Sequence, residues 1–125
     1  MDYQATFGTE GIVTHDALIA GNAHLLVGRK ITVAAGQNLV RGAVLGKVTA
    51  TGKYLLSLSA AADGSQTPDL ILAEDCNASA ADKSVLAYAR GDFNSRALTL
   101  GAAHTVASIT EGLRAKGITL LASIA

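Results

Sequence analysis

Apolar residues along this chain fall into short runs interrupted by glycine and polar residues, a pattern of strands and tight turns more than of helices. The opening stretch, MDYQATFGTEGIVTHD, shows no helical period, and its large residues Tyr3, Phe7, Ile12 and Val13 stand scattered among polar ones. A segment of that kind buries little apolar surface by itself, which predicts an N-terminal arm that is extended or mobile when free, and that either orders on a partner or packs on its own domain. From Leu25 onward the signals are β. Leu25–Val27 and Lys30–Val33 read as short strands around Gly28, and Val44–Val48 and Tyr54–Leu58 as strands flanking a turn at Ala50–Gly52. Gly36, Gly42, Gly46 and Gly52 recur at intervals that no long helix survives. Asp63-Gly64 predicts another turn, and Pro68, which has no amide hydrogen, cannot stand inside a central strand. Leu70–Ala73 and Ser84–Tyr88 predict two further strands separated by a polar loop over Asp75–Lys83, with a turn at Arg90–Asp92 closing the second.

One segment carries helical signals. Ser108 followed three residues later by Glu111 matches a capping box, and Ile109 and Leu113 then share a face. Arg114 and Lys116 fall where positive charge suits a helix C-terminus, and Gly117 where a left-handed cap is wanted. Ile118–Ile124 follows as an aliphatic final strand. The pattern therefore predicts a mainly β fold with one short C-terminal helix before the last strand. No internal repeat or second domain is visible, so the expected organisation is an arm over residues 1–16 and a single β-rich domain over residues 17–125.

Composition sharpens this picture. Half of the residues are apolar, but only 4% are aromatic, so the core must be built from Val, Ile, Leu and Ala. A mean hydropathy of +0.35 with 16% charged residues points to further burial against other copies or a partner. Ten basic and ten acidic residues cancel, and no Lys/Arg cluster of the sort that displaces counterions from nucleic acid is present. Residues 1–28 contain acids but neither Lys nor Arg, and residues 63–82 repeat that asymmetry in what reads as solvated loops. No apolar run reaches the ~20 residues of a membrane helix. The opening residues lack a signal-peptide pattern, and Cys76 is the one cysteine, which excludes an internal disulfide. These features predict a soluble protein made in a reducing cytoplasm, with neither nucleic acid nor membrane as partner.

Candidate chemistry is thin. His15, His24 and His104 are scattered and fit no metal-binding spacing, and in an extended segment the adjacent His15 and Asp16 side chains point apart. Cys76 follows Glu74 and Asp75, whose charges disfavour a thiolate. Asp63, Ser65, Thr67 and Asp69 alternate like calcium-loop ligands, with Glu74 further on, but Pro68 occupies the position where such a loop needs glycine. Arg90-Gly91-Asp92 spells an adhesion tripeptide and Asn77-Ala78-Ser79 a formal glycosylation site, while no phosphate-cradling glycine loop exists. The expectation is a non-enzyme without cofactor or metal. An arm able to add a strand to a partner's sheet is left, with Tyr3, Phe7, Ile12 and Val13 filling pockets.

Several stretches carry a family resemblance. AAGQNLVRGAVLGK, AADGSQTPDLILAED, YARGDFN and the closing EGLRAKGITLLASIA follow one another in an order and spacing similar to the phage head decoration proteins, which include the lambda-type capsid stabiliser. The similarity spans roughly Lys30 to Ala125. It implies a β-clip (tulip-like) fold with a small helix. It further implies homotrimers seated on local threefold positions of the expanded icosahedral head, where they lock the major capsid protein against the pressure of packaged DNA. In that family the N-terminal segment is disordered in the free protein and orders on the shell, a role that falls by position on Met1 to Asp16. The implied location is the outer surface of the virion capsid. Two other readings compete: a small-ligand or carbohydrate-binding β domain, by analogy of architecture alone, and adhesion through Arg90–Asp92.

Overall fold

The computed structural model describes residues 18–121. The predicted arm, with Tyr3, Phe7, Ile12 and Val13, lies outside the described residues, as do His15, Asp16 and the end of the last predicted strand.

Among the described residues the fold is mainly β. The strands are β1 (Ile19–Gly21), β2 (Val27–Val33), β3 (Gln37–Leu39), β4 (Val44–Lys47), β5 (Tyr54–Leu56), β6 (Pro68–Leu72), β7 (Cys76–Ala78), β8 (Lys83–Asn94) and β9 (Ile118–Leu121). One helix, α1 (Val106–Arg114), precedes β9, as predicted.

β8, twelve residues long, organises the molecule. It runs antiparallel to β2 and β6 over its first part, and between β1 (antiparallel) and β9 (parallel) over its second. β2 also meets β5 through Val33 and Tyr54, β5 pairs with β4, β4 with β6, and β6 returns to β8. Five strands thus close into a ring, and β3 and β7 form a separate two-stranded sheet.

Two cores follow from this closure. Ile31, Val33, Leu45, Tyr54, Leu70, Leu72, Val85 and Ala87 belong to the first. The second contains Leu18, Val44, Ile71, Phe93, Ile109, Leu113 and Ile118. Neighbours in one strand divide between them: Val44 and Ile71 go to the second core, while Leu45, Leu70 and Leu72 go to the first. This division explains why Leu70–Leu72 reads as an unbroken apolar run instead of an alternating one, since both faces of the strand are covered there. Tyr88 packs its ring 5.4 Å from that of Phe93 on the second-core side, and Arg41 donates to its hydroxyl at 2.9 Å.

Local sequence chemistry produces several elements as expected. The β4–β5 hairpin turns through Gly52, Asp63-Gly64 forms a turn, and Ile109 and Leu113 are the buried side chains of α1. Pro68 opens β6 instead of interrupting it, the strand position where a missing N–H is tolerated.

Four expectations need correction. The pieces Leu25–Val27 and Lys30–Val33 are not two strands: Ala23–Leu25 is a turn of 3-10 helix, and Val27–Val33 is one strand that pairs with β8 along its length. The predicted loop Asp75–Lys83 contains β7, because Cys76–Ala78 finds a distant partner in β3. Arg90–Asp92 does not close β8. Two residues of β2, Val27 and Gly28, stand opposite three of β8, Tyr88 to Arg90, so the strand absorbs a bulge and continues. Gly91 follows at φ +148°, a backbone conformation that side-chain-bearing residues rarely adopt, so glycine eases the strand through this point. Finally, the N-cap of α1 is Thr105, not Ser108. The Thr105 hydroxyl accepts from Ser108 N at 3.1 Å while Ser108 Oγ accepts from Thr105 N at 2.9 Å. Glu111 pairs instead with Arg114.

Candidate functional site

Most residues singled out in the sequence are spent on holding the fold. Arg90, Gly91 and Asp92 lie within β8, paired to neighbouring strands, and Asp92 Oδ2 accepts from Asn22 Nδ2 at 2.7 Å. A tripeptide held in a sheet with its carboxylate engaged is not presented as an adhesion loop. Asn77 Oδ1 accepts from Ser79 N at 3.1 Å, closing a small turn after β7.

The calcium-like run disperses its oxygens. Asp63 Oδ1 accepts from Ser65 N at 3.0 Å and from Ser65 Oγ at 2.5 Å, and these hydrogen bonds hold its carboxyl below the usual aspartate range. Asp69 takes the Tyr54 hydroxyl at 3.0 Å and Lys116 Nζ at 3.1 Å, and Glu74 accepts from Leu86 N at 2.8 Å. Among the described residues no group of His, Cys, Asp and Glu converges on a common point. Lys47, Thr49, Gly64, Thr67, Asp69 and Lys116 line a groove of about 290 Å³, but its lining contains no aromatic face on which a sugar ring would stack.

Cys76 is buried, and burial is the first cause of its raised thiol pKa, with Glu74 adding to it and Lys83 opposing. The sequence located the carboxylate effect; the larger one, desolvation, arises from packing in the first core.

Folding brings together one pair that sequence reasoning missed. His104 Nε2 lies 3.2 Å from Ser57 Oγ, a contact of the kind a hydrolase uses. The polarity of the contact is wrong for that use. Ser57 Oγ donates to the Ser65 carbonyl at 2.6 Å, and His104 Nε2 sits 3.1 Å from the Gln66 carbonyl, which can only accept. Nε2 therefore carries the proton and faces Ser57 as a donor, leaving no lone pair to receive the serine proton. Ser57 is also fully buried. With Nδ1 3.2 Å from Ser108 Oγ, the ring staples the 57–66 segment to the first turn of α1. Residues 47 positions apart form this contact, so no local motif announced it.

What the described surface does offer is exposed apolar side chains. Leu25, Val27 and Leu86 lie near one end of the β2–β8 pair, whereas Val40, Leu58 and Val106 stand on loops and on the start of α1. Around Leu58, the 42–44, 57–59 and 99–102 segments are joined by backbone hydrogen bonds: Thr99 N to Gly42 O, Val44 N to Thr99 O, Ser57 N to Val44 O and Ser59 N to Ala102 O. Gly101 packs so tightly here that a Cβ would lie 1.9 Å from Ser57 O. Residues 54–62 and 97–110 contribute neither Asp, Glu, Lys nor Arg.

No helix among the described residues is long and apolar enough to cross a membrane. No curated protein matches the chain. Residues 7–119 match the family model for the bacteriophage lambda head decoration protein D, which spans nearly all of the mainly β fold described above. By that match, the chain belongs to the phage head decoration protein family.

Proposed function

We propose that this chain is a structural cement of the virion: it binds the major capsid protein on the outside of the expanded phage head as a homotrimer and stabilises the shell against packaged DNA. The observation carrying this reading is the family match over residues 7–119. Residues 1–16 act in it as an arm that adds a strand to capsid protein sheets, with Tyr3, Phe7, Ile12 and Val13 as anchors, and residues 17–125 act as one β-rich domain of the β-clip type. Three arms per trimer convert modest single contacts into firm attachment, because each later contact forms within an already tethered complex. The role makes and breaks no covalent bond, which accords with a Ser57–His104 contact of the wrong polarity for nucleophilic attack. It needs neither cofactor, nucleic acid nor membrane, and the protein is made in the host cytoplasm before it joins the virion.

The test is sedimentation and electron microscopy of the protein mixed with undecorated heads, expanded and unexpanded. Density at threefold positions of expanded heads alone is the expected result, and deletion of Met1–Asp16 abolishes it. Equal binding by the truncated chain would refute the arm mechanism, and absence of binding by the full chain would refute the cement function.

A further inference from the structure

We infer that the groove between the end of β4, the 63–67 loop and the α1–β9 connection binds a small tetrahedral oxyanion of the phosphate class, held by Lys47, Thr49, Thr67 and Lys116. The site is independent of the capsid role.

Three observations carry the assignment. The first is charge. The lining sets two ammonium groups, Lys47 and Lys116, against one carboxylate, Asp69. Asp63, the other acid on this loop, is turned onto Ser65 N and Oγ and stands outside the lining.

The second is the count of donors against acceptors. Asp69 is already engaged through both oxygens: Oδ1 lies 3.1 Å from Lys116 Nζ, and Oδ2 accepts from the Tyr54 hydroxyl at 3.0 Å. Lys116 Nζ also donates to the Pro68 carbonyl at 3.0 Å, which leaves one of its three N–H groups for a ligand. Lys47 Nζ makes no hydrogen bond or ion pair among the described residues, and the Thr49 and Thr67 hydroxyls have no partner there either. The groove is thus rich in donors beside a net positive charge, and an anion that accepts from several of them at once satisfies both conditions.

The third is that the walls are held in place before any ligand arrives. Lys116 is fixed by Asp69 and Pro68 O, and Asp69 in turn by Tyr54, which is 3% exposed. Burial and then the Asp69 charge raise the Tyr54 pKa, so the phenol stays protonated and keeps donating. Gly64 stands at φ +105°, and a Cβ there would lie 2.9 Å from Lys47 O, so glycine lets the loop close against the end of β4. Thr49 N donates to Asp63 O at 2.9 Å across the same junction. A site built in advance loses little conformational freedom on binding. Its donors come from three separate segments. A tetrahedral ion presents oxygens in all of these directions, whereas a carboxylate offers two in one plane.

The experiment titrates the full ¹⁵N-labelled chain with inorganic phosphate at constant ionic strength, with chloride as the compensating anion, and follows the amide resonances. Expected are saturable shifts centred on Thr49, Gly64, Thr67 and Lys116. Lys47→Gln, at an exposed position, should raise the half-saturation concentration about threefold to fivefold. Lys30→Gln, exposed on β2 away from the groove, should leave it unchanged. If Lys47→Gln fails to fold, Thr67→Val takes its place with the same expectation. Shifts that stay linear in phosphate, that scatter over the surface, or that persist unchanged in the folded variant would overturn the inference. Sulfate saturating the same resonances would support it, and acetate saturating them at the same concentration as phosphate would overturn the assignment to a tetrahedral ion. Head binding is not read here, so failure of this site leaves the cement function standing.

Discussion

Replacement of Leu113 by alanine tests whether the second core is as essential as the packing implies. α1 is nine residues long, and its only buried side chains are Ile109 and Leu113. A helix that short is not stable alone in water, so these two residues hold it against the outer wall of the ring. Leu113 is completely buried. Leu→Ala removes three carbons, about 2.4 kcal/mol at ~0.8 kcal/mol per buried methylene, and a residual cavity adds to that loss, with buried Leu→Ala replacements reaching ~2.7–5 kcal/mol. The opposite side of α1 faces solvent, so the helix can settle inward and part of the cavity collapses. The expected cost is therefore near the lower end, about 3 kcal/mol. With an unfolding entropy of ~2.1 cal/mol/K per residue, that corresponds to a fall in Tm of roughly 12 °C for a chain of this length. Urea unfolding followed by circular dichroism should show a lower midpoint with an unchanged slope. Val106→Ala, at an exposed position of the same helix, serves as comparison and should change stability by no more than ~0.5 kcal/mol. If Leu113→Ala were as mild as Val106→Ala, α1 would not be anchored as described.

Two further outcomes follow from the polar network. His104→Ala removes the staple between Ser57, Gln66 and Ser108 and should destabilise the protein by about 1–2 kcal/mol in urea, while a fluorophosphonate probe leaves Ser57 unmodified; labelling of Ser57 would reverse the polarity assigned to the pair. Asp82 is held below the usual aspartate range first by its hydrogen bond from Lys53 and then by the backbone N–H of Ala35, so its contribution to stability is present above an unfolded-chain value of ~4 and is lost as pH falls through the lower native value. Asp82→Asn should flatten the acid side of the Tm-versus-pH profile, and parallel profiles for parent and variant would contradict this coupling.

The amino-acid order alone determined whatever depends on neighbours in the chain. Asp63-Gly64 and the Ala50–Gly52 turn form where glycine permits the required backbone, and the spacing of Ile109 and Leu113 places them on one helical face. An aliphatic, nearly aromatic-free core could be read from composition, and the family from the order of its motifs. Tertiary structure decided the rest. Cys76–Ala78 is a strand only because Gln37–Leu39 lies beside it, and β8 runs past Arg90 only because β1 and β9 flank it there. Ser57 and His104 meet through a fold that joins residues far apart in the chain, and the polar groove exists only where Lys47, Asp69 and Lys116 are brought side by side. Strand pairing and side-chain contact depend on partners tens of residues away, and local propensity carries no record of which partner will arrive.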